Sequence, residues 1–265
     1  MIHIKCDAFG DEGTSADGRF ALYSFIGFEP SKIPSALAFL SRTKEKFGVS
    51  DAARFHCREL FSGDRRAKTE WRVLKPKEPI EVCRYLSTEL FSLRPLWAYG
   101  YVDMGALREL PDPTTMRTFF PARDDAPSME HAMPFGVGQA HRFAFLAAGW
   151  NFRTRFTNSV RFWVDTDRTK IEWFNGKRGQ AHNLNPILPC SADLPSELLP
   201  MLEIADLFAY AAGRCLSNDQ RYGSGIFRTI HRRYGPIMSK MTLDPTAFGA
   251  EMYRDEWLKQ VNSAG

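Results

Sequence analysis

The stretch FGDEGTSADGRF, residues 9–20, lies between two largely apolar runs, MIHIKCDAF and FALYSFIGF. Its central Gly, Thr, Ser and Asp residues are the types that reverse a chain, so the pattern predicts an opening β-hairpin with strands at 2–9 and 19–28. Asp11 and Glu12 are adjacent acids that follow the first predicted strand. Turn chemistry does not explain them, and they raise the question of a bound partner.

Outward from the hairpin, apolar periodicity and turn residues predict alternating helices and strands. Helices are predicted at 31–48, 76–94, 138–153 and 195–217. Strands are predicted at 53–60, 95–104, 159–167 and 183–192, and an irregular insertion at 105–130. We therefore expect an α/β fold with a mixed β-sheet and flanking helices in one domain over 1–217. A C-terminal helical extension over 218–265 is expected to pack on the same domain.

Composition and charge are ordinary for a globular chain, with 44% apolar and 25% charged residues. No stretch approaches the roughly 20 apolar residues that span a bilayer, and the N-terminus lacks the pattern of a secretory signal. The five cysteines are scattered and form no CxxC pair, which favours reduced thiols. We expect a cytoplasmic protein without a membrane partner. The net charge of +4 permits a polyanionic partner without requiring one.

Three common nucleotide and hydrolase motifs are missing from the sequence. It contains no G-x-x-x-x-G-K-[ST], no G-x-G-x-x-G and no G-x-S-x-G. A P-loop nucleotide triphosphatase, a Rossmann dehydrogenase and an α/β-hydrolase are therefore disfavoured.

Carboxylates recur where predicted strands end, and two more share a helix face. Asp103 ends the run WAYGYVD, and Asp165 lies in the acidic end of RFWVDTD. Glu203 and Asp206 are three residues apart in an apolar helix, so they share one face. A buried carboxylate costs several kcal/mol unless it is paired, so these two acids need a cation or a hydrogen-bond network. Converging carboxylates are typical of a Mg²⁺ site, and exposed or capping acids are the alternative.

Four segments resemble landmarks of the DUF3800 family. FGDEGTSADGRFALYSFIGF resembles its opening strand and D-E-[SG]-G turn, and LEIADLFAYAAGR is similar to its C-terminal Q-x-x-D signature. RFHCRELF and RFWVDTDRT resemble its segment after the first helix and its later acid-ended strand. The matches extend from about residue 9 to residue 217. The resemblance implies an RNase H-like fold and a metal-dependent nuclease.

The resemblance also implies a set of site residues. Asp11 and Glu12 match the acidic pair of the family, Asp206 matches its helix aspartate, and Asp165 fits the strand-end position. Glu203 stands where the family has Gln, so it adds a charge that enriches a metal site or repels Asp206. Asp11, Asp165 and Asp206 are thereby expected to hold Mg²⁺ or Mn²⁺, with Glu203 as an auxiliary metal ligand and Glu12 as an auxiliary catalytic residue. The long-range pairing of Asp11 with Asp206 is the main structural prediction.

Two segments combine basic and aromatic residues as nucleic-acid contacts do. GDRRAKTEWR supplies Arg65 and Arg66, with Trp71 available for stacking. DRTKIEWFNGKRGQ supplies four further basic candidates, Arg168, Lys170, Lys177 and Arg178. Solvated loops are the alternative interpretation of both segments.

His56 and Glu59 are three apart and could assist a metal site or orient a phosphate. The alternative is a half-buried, hydrogen-bonded histidine and a solvent-exposed acid. The sequence as a whole predicts a metal-dependent nuclease that acts on DNA or RNA. The alternative function is a catalytically silent RNase H-like module that binds nucleic acid or a protein partner, in phage defence or a mobile element.

Overall fold

A computed structural model of the protein describes residues 5–109, 114–120, 129–135, 137–156, 160–164, 194–217 and 224–241. Within these ranges, the strands are β1 Cys6–Thr14, β2 Phe20–Phe28, β3 Leu96–Asp103, β4 Thr114–Phe120, β5 Met129–Phe135, β6 Val160–Val164 and β7 Ile237–Met241. The helices are α1 Ile33–Lys46, α2 Cys57–Leu60, α3 Gly63–Arg66, α4 Glu78–Phe91, α5 Met104–Arg108, α6 Ala140–Arg155, α7 Pro200–Leu216 and α8 Ser224–Tyr234.

The predicted opening hairpin is confirmed, and its first strand is longer than expected. The turn closes where the Ser15 amide donates to the Phe20 carbonyl at 2.8 Å, and Gly18 supplies the positive φ of 73° that the reversal requires. Pairing of β1 with β2 continues to Thr14, so Asp11 lies opposite Ser24 and Glu12 opposite Tyr23. Both acids therefore lie within a strand, not after one.

The main sheet is mixed, as the sequence predicts. Its strand order is β6-β1-β2-β3-β7. The three central strands form an antiparallel meander, and each edge strand is parallel to its neighbour. A separate two-stranded sheet, β4 with β5, and the short helix α5 occupy the described part of 105–130. For these described residues the expectation of an irregular insertion is wrong, because β4 and β5 pair with each other and α5 is helical.

Helices cover both faces of the main sheet. Successive side chains of β1 point to opposite faces of the sheet. Phe9 therefore packs in the core cluster beneath α1, α4, α7 and α8, and Ala8 packs in a second cluster beneath α6. Helix α6 approaches so closely that a methyl group at Gly100 of β3 would overlap the carbonyl oxygen of Ala144. Glycine at this position is therefore a packing requirement.

Asp7 is buried at the start of β1 and binds the edge strand β6. Its carboxylate accepts hydrogen bonds from Arg161 Nε at 2.6 Å and from Trp163 Nε1 at 2.9 Å. Both donors lie on β6, so these bonds reinforce the backbone pairing that places Val164 beside Gly10.

Residues 53–60 were expected to form a strand, and this expectation is wrong. The segment is irregular up to His56 and then forms the single helical turn α2. The amides of Phe55 and Cys57 donate to carboxylates of α7 instead of to a neighbouring strand. The segment therefore packs on helix α7 and is not a strand of the sheet.

The described part of 218–265 contains both a helix and a strand. Helix α8 packs against α7 and α4, and β7 pairs with β3 in the main sheet. The described residues of this region are therefore not solely helical, and its residues 218–223 and 242–265 lie outside the described residues. No described helix is both long enough and apolar enough to cross a membrane.

Candidate active site

Helix α7 carries one polar stripe on an otherwise buried surface. Glu203, Asp206, Tyr210 and Arg214 recur at three- and four-residue steps and are half-buried, whereas most other residues of α7 are buried. The segment from Ala53 to Phe61 lies over this stripe, and the Phe61 ring stacks on Tyr210 with 5.7 Å between centroids. The polar stripe and its covering segment form the candidate site.

Glu203 is satisfied by a lysine from helix α1. Its Oε2 lies 3.0 Å from Lys44 Nζ and accepts the Phe55 amide at 2.9 Å. The Lys44 side chain is only 3% exposed and also donates to the Asp51 carbonyl at 3.1 Å. The prediction that the helix acids need a partner is confirmed, and for Glu203 that partner is a buried ammonium group.

Asp206 is bound by the covering segment through both carboxylate oxygens. Oδ1 lies 3.0 Å from His56 Nδ1, and Oδ2 accepts the Cys57 amide at 2.6 Å. The hydrogen bond to Asp206 raises the pKa of His56, against the opposing effect of burial, and Glu59 adds to the rise. His56 is therefore half-buried and hydrogen-bonded, and its charged form is favoured by two acids.

Cys57 is unsuited to act as a nucleophile at this site. Its side chain is fully buried, and burial raises the pKa of the thiol far above its usual value. A hydrogen bond with Cys83 raises the pKa further. Since the thiolate is the reactive form, Cys57 contributes its backbone amide and not its sulfur.

Asp11 lies on the face of β1 that α7 covers. It shares that face with Phe9 and Gly13, because alternate residues of a strand point to the same side. A methyl group at Gly13 would lie 3.4 Å from the carbonyl oxygen of Ala209, which is three residues after Asp206. Strand β1 and helix α7 therefore pack against each other at Gly13 and Ala209. Asp11 lies two residues before Gly13 on β1, and Asp206 lies three residues before Ala209 on α7.

Glu12 lies on the opposite face of β1. Ala8, Gly10 and Glu12 are alternate residues of β1 and so share one face of the strand. Ala8 and Gly10 face the hydrophobic cluster beneath α6. The Glu12 amide donates to Asp11 Oδ1 at 2.8 Å, so its backbone and not its carboxylate faces toward the Asp11 side chain.

Asp103, the acid that ends the run WAYGYVD, has a structural partner. It caps α5 through the Gly105 amide at 3.0 Å and accepts two hydrogen bonds from Arg19, at 2.9 and 2.7 Å. These contacts account for an acid at the end of β3.

The two predicted basic segments differ in how much of each is described. Arg65 is exposed on α3, and Arg66 donates to the Leu60 carbonyl at 2.7 Å. Trp71 is fully buried and donates through Nε1 to the Arg54 carbonyl at 2.8 Å. The predicted stacking role of Trp71 is therefore wrong, because its ring belongs to the core.

Five of the predicted site residues lie outside the described residues: Asp165, Arg168, Lys170, Lys177 and Arg178. Among the residues that the structure describes, no group of three or more His, Cys, Asp or Glu side chains is arranged to hold a metal ion. Strand β6 ends at Val164, which pairs with Gly10 and directly precedes Asp165 in the chain.

Lys44 is the residue of this site that the sequence prediction missed. The sequence does contain a pattern that indicates Lys44. The residues Ile33, Ala36 and Leu40 form an apolar stripe along α1, and Lys44 lies four residues further on the same stripe. A lysine on the apolar stripe of a helix indicates a buried acid elsewhere in the chain.

The chain matches no protein-family model, no curated protein and no solved structure. The likeness to the DUF3800 family therefore stays a proposal.

Two histidines are expected to give opposite pH dependence of stability. The pKa of His56 is raised, so its contribution to the free energy of unfolding is present at low pH and is lost as the pH rises through that raised pKa. Burial lowers the pKa of His231, whose Nε2 lies 2.9 Å from the Tyr99 hydroxyl. Its contribution is present above the ordinary pKa of about 6.5 and is lost as the pH falls below it.

Urea unfolding between about pH 5.5 and pH 8 tests both signs. The difference in unfolding free energy between wild type and His56→Gln should shrink as the pH rises. The difference between wild type and His231→Gln should grow. Two differences that change in the same direction would refute the assignment of the partners.

Proposed function

We propose that this chain is a divalent-metal-dependent nuclease with an RNase H-like core. The supporting observation is that Asp11 lies on the face of β1 covered by α7, two residues before Gly13, where β1 packs against Ala209 of α7. Asp206 lies one turn before that contact on α7. The carboxylates of Asp11 and Asp206, far apart in the chain, therefore lie on a strand and a helix that pack against each other.

The strand arrangement supports the RNase H-like assignment. An antiparallel meander of β1, β2 and β3 has the parallel strand β6 beside β1, and α7 packs across β1 and β2. The proposal extends to the DUF3800 family, whose landmark acids correspond to Asp11 and Asp206.

Asp165 completes the proposed ligand set. The parallel register pairs Phe9 with Trp163 and Gly10 with Val164. Asp165 itself lies outside the described residues, and its place in the proposed ligand set rests on its position in the sequence directly after Val164 and on the resemblance to the family.

Asp206 retains the capacity to bind a cation. Each of its oxygens accepts one described hydrogen bond, and a carboxylate offers about four lone-pair positions. His56 and the Cys57 amide orient the carboxylate, as hydrogen-bonding partners of metal ligands commonly do. Mg²⁺ or Mn²⁺ prefers such hard oxygen ligands and would supply an activated water for attack on a phosphodiester.

Glu203 and Glu12 have other roles in this proposal. Lys44 neutralises Glu203, whose contact with the Phe55 amide holds the covering segment in place. The charge that replaces the glutamine of the family thus balances a buried lysine. Glu12 lies on the face of β1 opposite Asp11 and has an auxiliary role.

The test is cleavage of labelled DNA and RNA by the purified chain. We expect cleavage with Mg²⁺ or Mn²⁺, none with EDTA, and recovery when the ion is restored. Absence of ion-dependent cleavage of single-stranded and duplex forms of both nucleic acids would contradict the proposal.

One observation favours the silent-module alternative. Both oxygens of Asp206 already have protein partners, so this carboxylate is stable without a cation. Thermal unfolding separates the two functions, because an ion that binds only the folded state raises its stability by mass action. A nuclease site should give a midpoint that rises with Mn²⁺ concentration, whereas a silent module should give a constant midpoint.

A further inference from the structure

The positive charge of this chain is concentrated in one segment. Residues 54–77, here called the basic cap, contain eight Arg or Lys residues and three Asp or Glu residues, a net charge of 8 − 3 = +5. The whole chain has a net charge of +4, so the remaining residues carry 4 − 5 = −1. The weak overall charge therefore conceals a strong local asymmetry.

The basic cap is attached to the candidate site at one end. His56 and the Cys57 amide bind Asp206, and helices α2 and α3 follow directly. Leu60, Trp71 and Leu74 are buried and fix the segment to the core. The cap is therefore a fixed surface beside the site and not a free tail.

Most of the cationic side chains of the basic cap are exposed. Six of them are exposed and, among the described residues, form no ion pair: Arg58, Arg65, Lys68, Arg72, Lys75 and Lys77. Elsewhere on the described surface some cations are paired with acids, as Lys32 is with Glu29 and Arg84 with Glu81. An unmatched array of this kind fits a polyanion whose charges repeat along its length.

The basic cap lacks exposed rings on which bases could stack. Phe55 and Trp71 are fully buried, and Phe61 is stacked on Tyr210 of α7. Proteins that bind single strands usually combine cations with exposed aromatic platforms. A surface with cations alone is suited to phosphates, which a duplex displays while its bases stay stacked.

We propose that the basic cap binds the sugar-phosphate backbone of a double-stranded nucleic acid, without reading its sequence, and directs it to the neighbouring site. This inference rests on the proposed function for its partner class. It adds that the nucleic acid is double-stranded and that the basic cap is the surface that binds it.

Fluorescence anisotropy with a labelled duplex of roughly 25 base pairs, in EDTA, tests the inference without cleavage. Wild type should bind the duplex at least about 10-fold more tightly than the single strand of the same sequence. Affinity should fall steeply with salt. The double variant Arg65→Gln/Lys68→Gln should reduce the salt slope by about two and weaken binding about 10- to 30-fold at 0.15 M salt.

The matched control is Arg84→Gln/Arg232→Gln, which removes two exposed charges outside the basic cap. It should weaken binding less than about 3-fold, and thermal midpoints should show that all variants fold. Equal loss in both double variants, equal affinity for single strand and duplex, or tighter binding to phosphatidylserine vesicles would each overturn the inference. Duplex binding in EDTA with no cleavage in Mg²⁺ would uphold it while refuting the nuclease.

Discussion

Asp11→Asn and Asp206→Asn are each expected to lower Mg²⁺-dependent cleavage by about 100-fold or more. A metal site stabilises transition-state charge by several kcal/mol, and each 1.36 kcal/mol corresponds to tenfold in rate. Asn preserves the shape of Asp and removes its charge. At Asp206 the amide oxygen can still accept the Cys57 amide, so the change acts mainly on charge.

Initial cleavage rates at saturating Mg²⁺ provide the measurement, with Glu197→Gln as the control. Glu197 is an exposed acid just before α7, and its neutralisation should leave the rate within about twofold. Full activity in either Asp variant, with its thermal midpoint unchanged, would remove that carboxylate from the site.

Lys44→Met is expected to lower the free energy of unfolding by about 3–5 kcal/mol. The variant leaves the Glu203 carboxylate at a site where its side chain is 15% exposed and its ammonium partner is missing. The desolvation cost of that charge is then uncompensated. Glu203 also holds the Phe55 amide, so the loss should loosen the segment that carries His56.

The double variant Lys44→Met/Glu203→Gln should recover much of the lost stability, because it removes the uncompensated charge and keeps an acceptor for Phe55. Urea unfolding measures both variants. Lys32→Met is the control, since Lys32 pairs with the exposed Glu29 and its loss should cost at most about 1 kcal/mol. A Lys44→Met effect no larger than that of Lys32→Met would show that the buried pair contributes little.

Local patterns were sufficient to predict most elements of the fold. The hairpin follows from turn residues between apolar runs, and α1, α4, α6 and α7 follow from apolar residues at helical spacing. Alternation of apolar and polar residues predicts a strand at 53–60, but such alternation is ambiguous over so short a length. Its conformation is set by α7 carboxylates far along the chain, which no local pattern records.

The site could be predicted only in part for the same reason. The spacing of Glu203 and Asp206 in an apolar helix correctly indicated acids that need partners. The partners, Lys44, His56 and the Cys57 amide, come from segments that tertiary folding brings together. The end of β1 was also missed, because polar residues such as Asp11 and Glu12 hide a strand whose pairing is set by β2.

Titration of the metal-free protein with Mn²⁺, followed by electron paramagnetic resonance of the free ion, tests the central claim that Asp11 and Asp206 share a divalent cation. The predicted result is binding of one or two ions per chain in wild type and in Glu197→Gln, with affinity at least about 10-fold weaker in Asp11→Asn and in Asp206→Asn. No binding by wild type, or equal binding by wild type and both Asp variants, would contradict the claim.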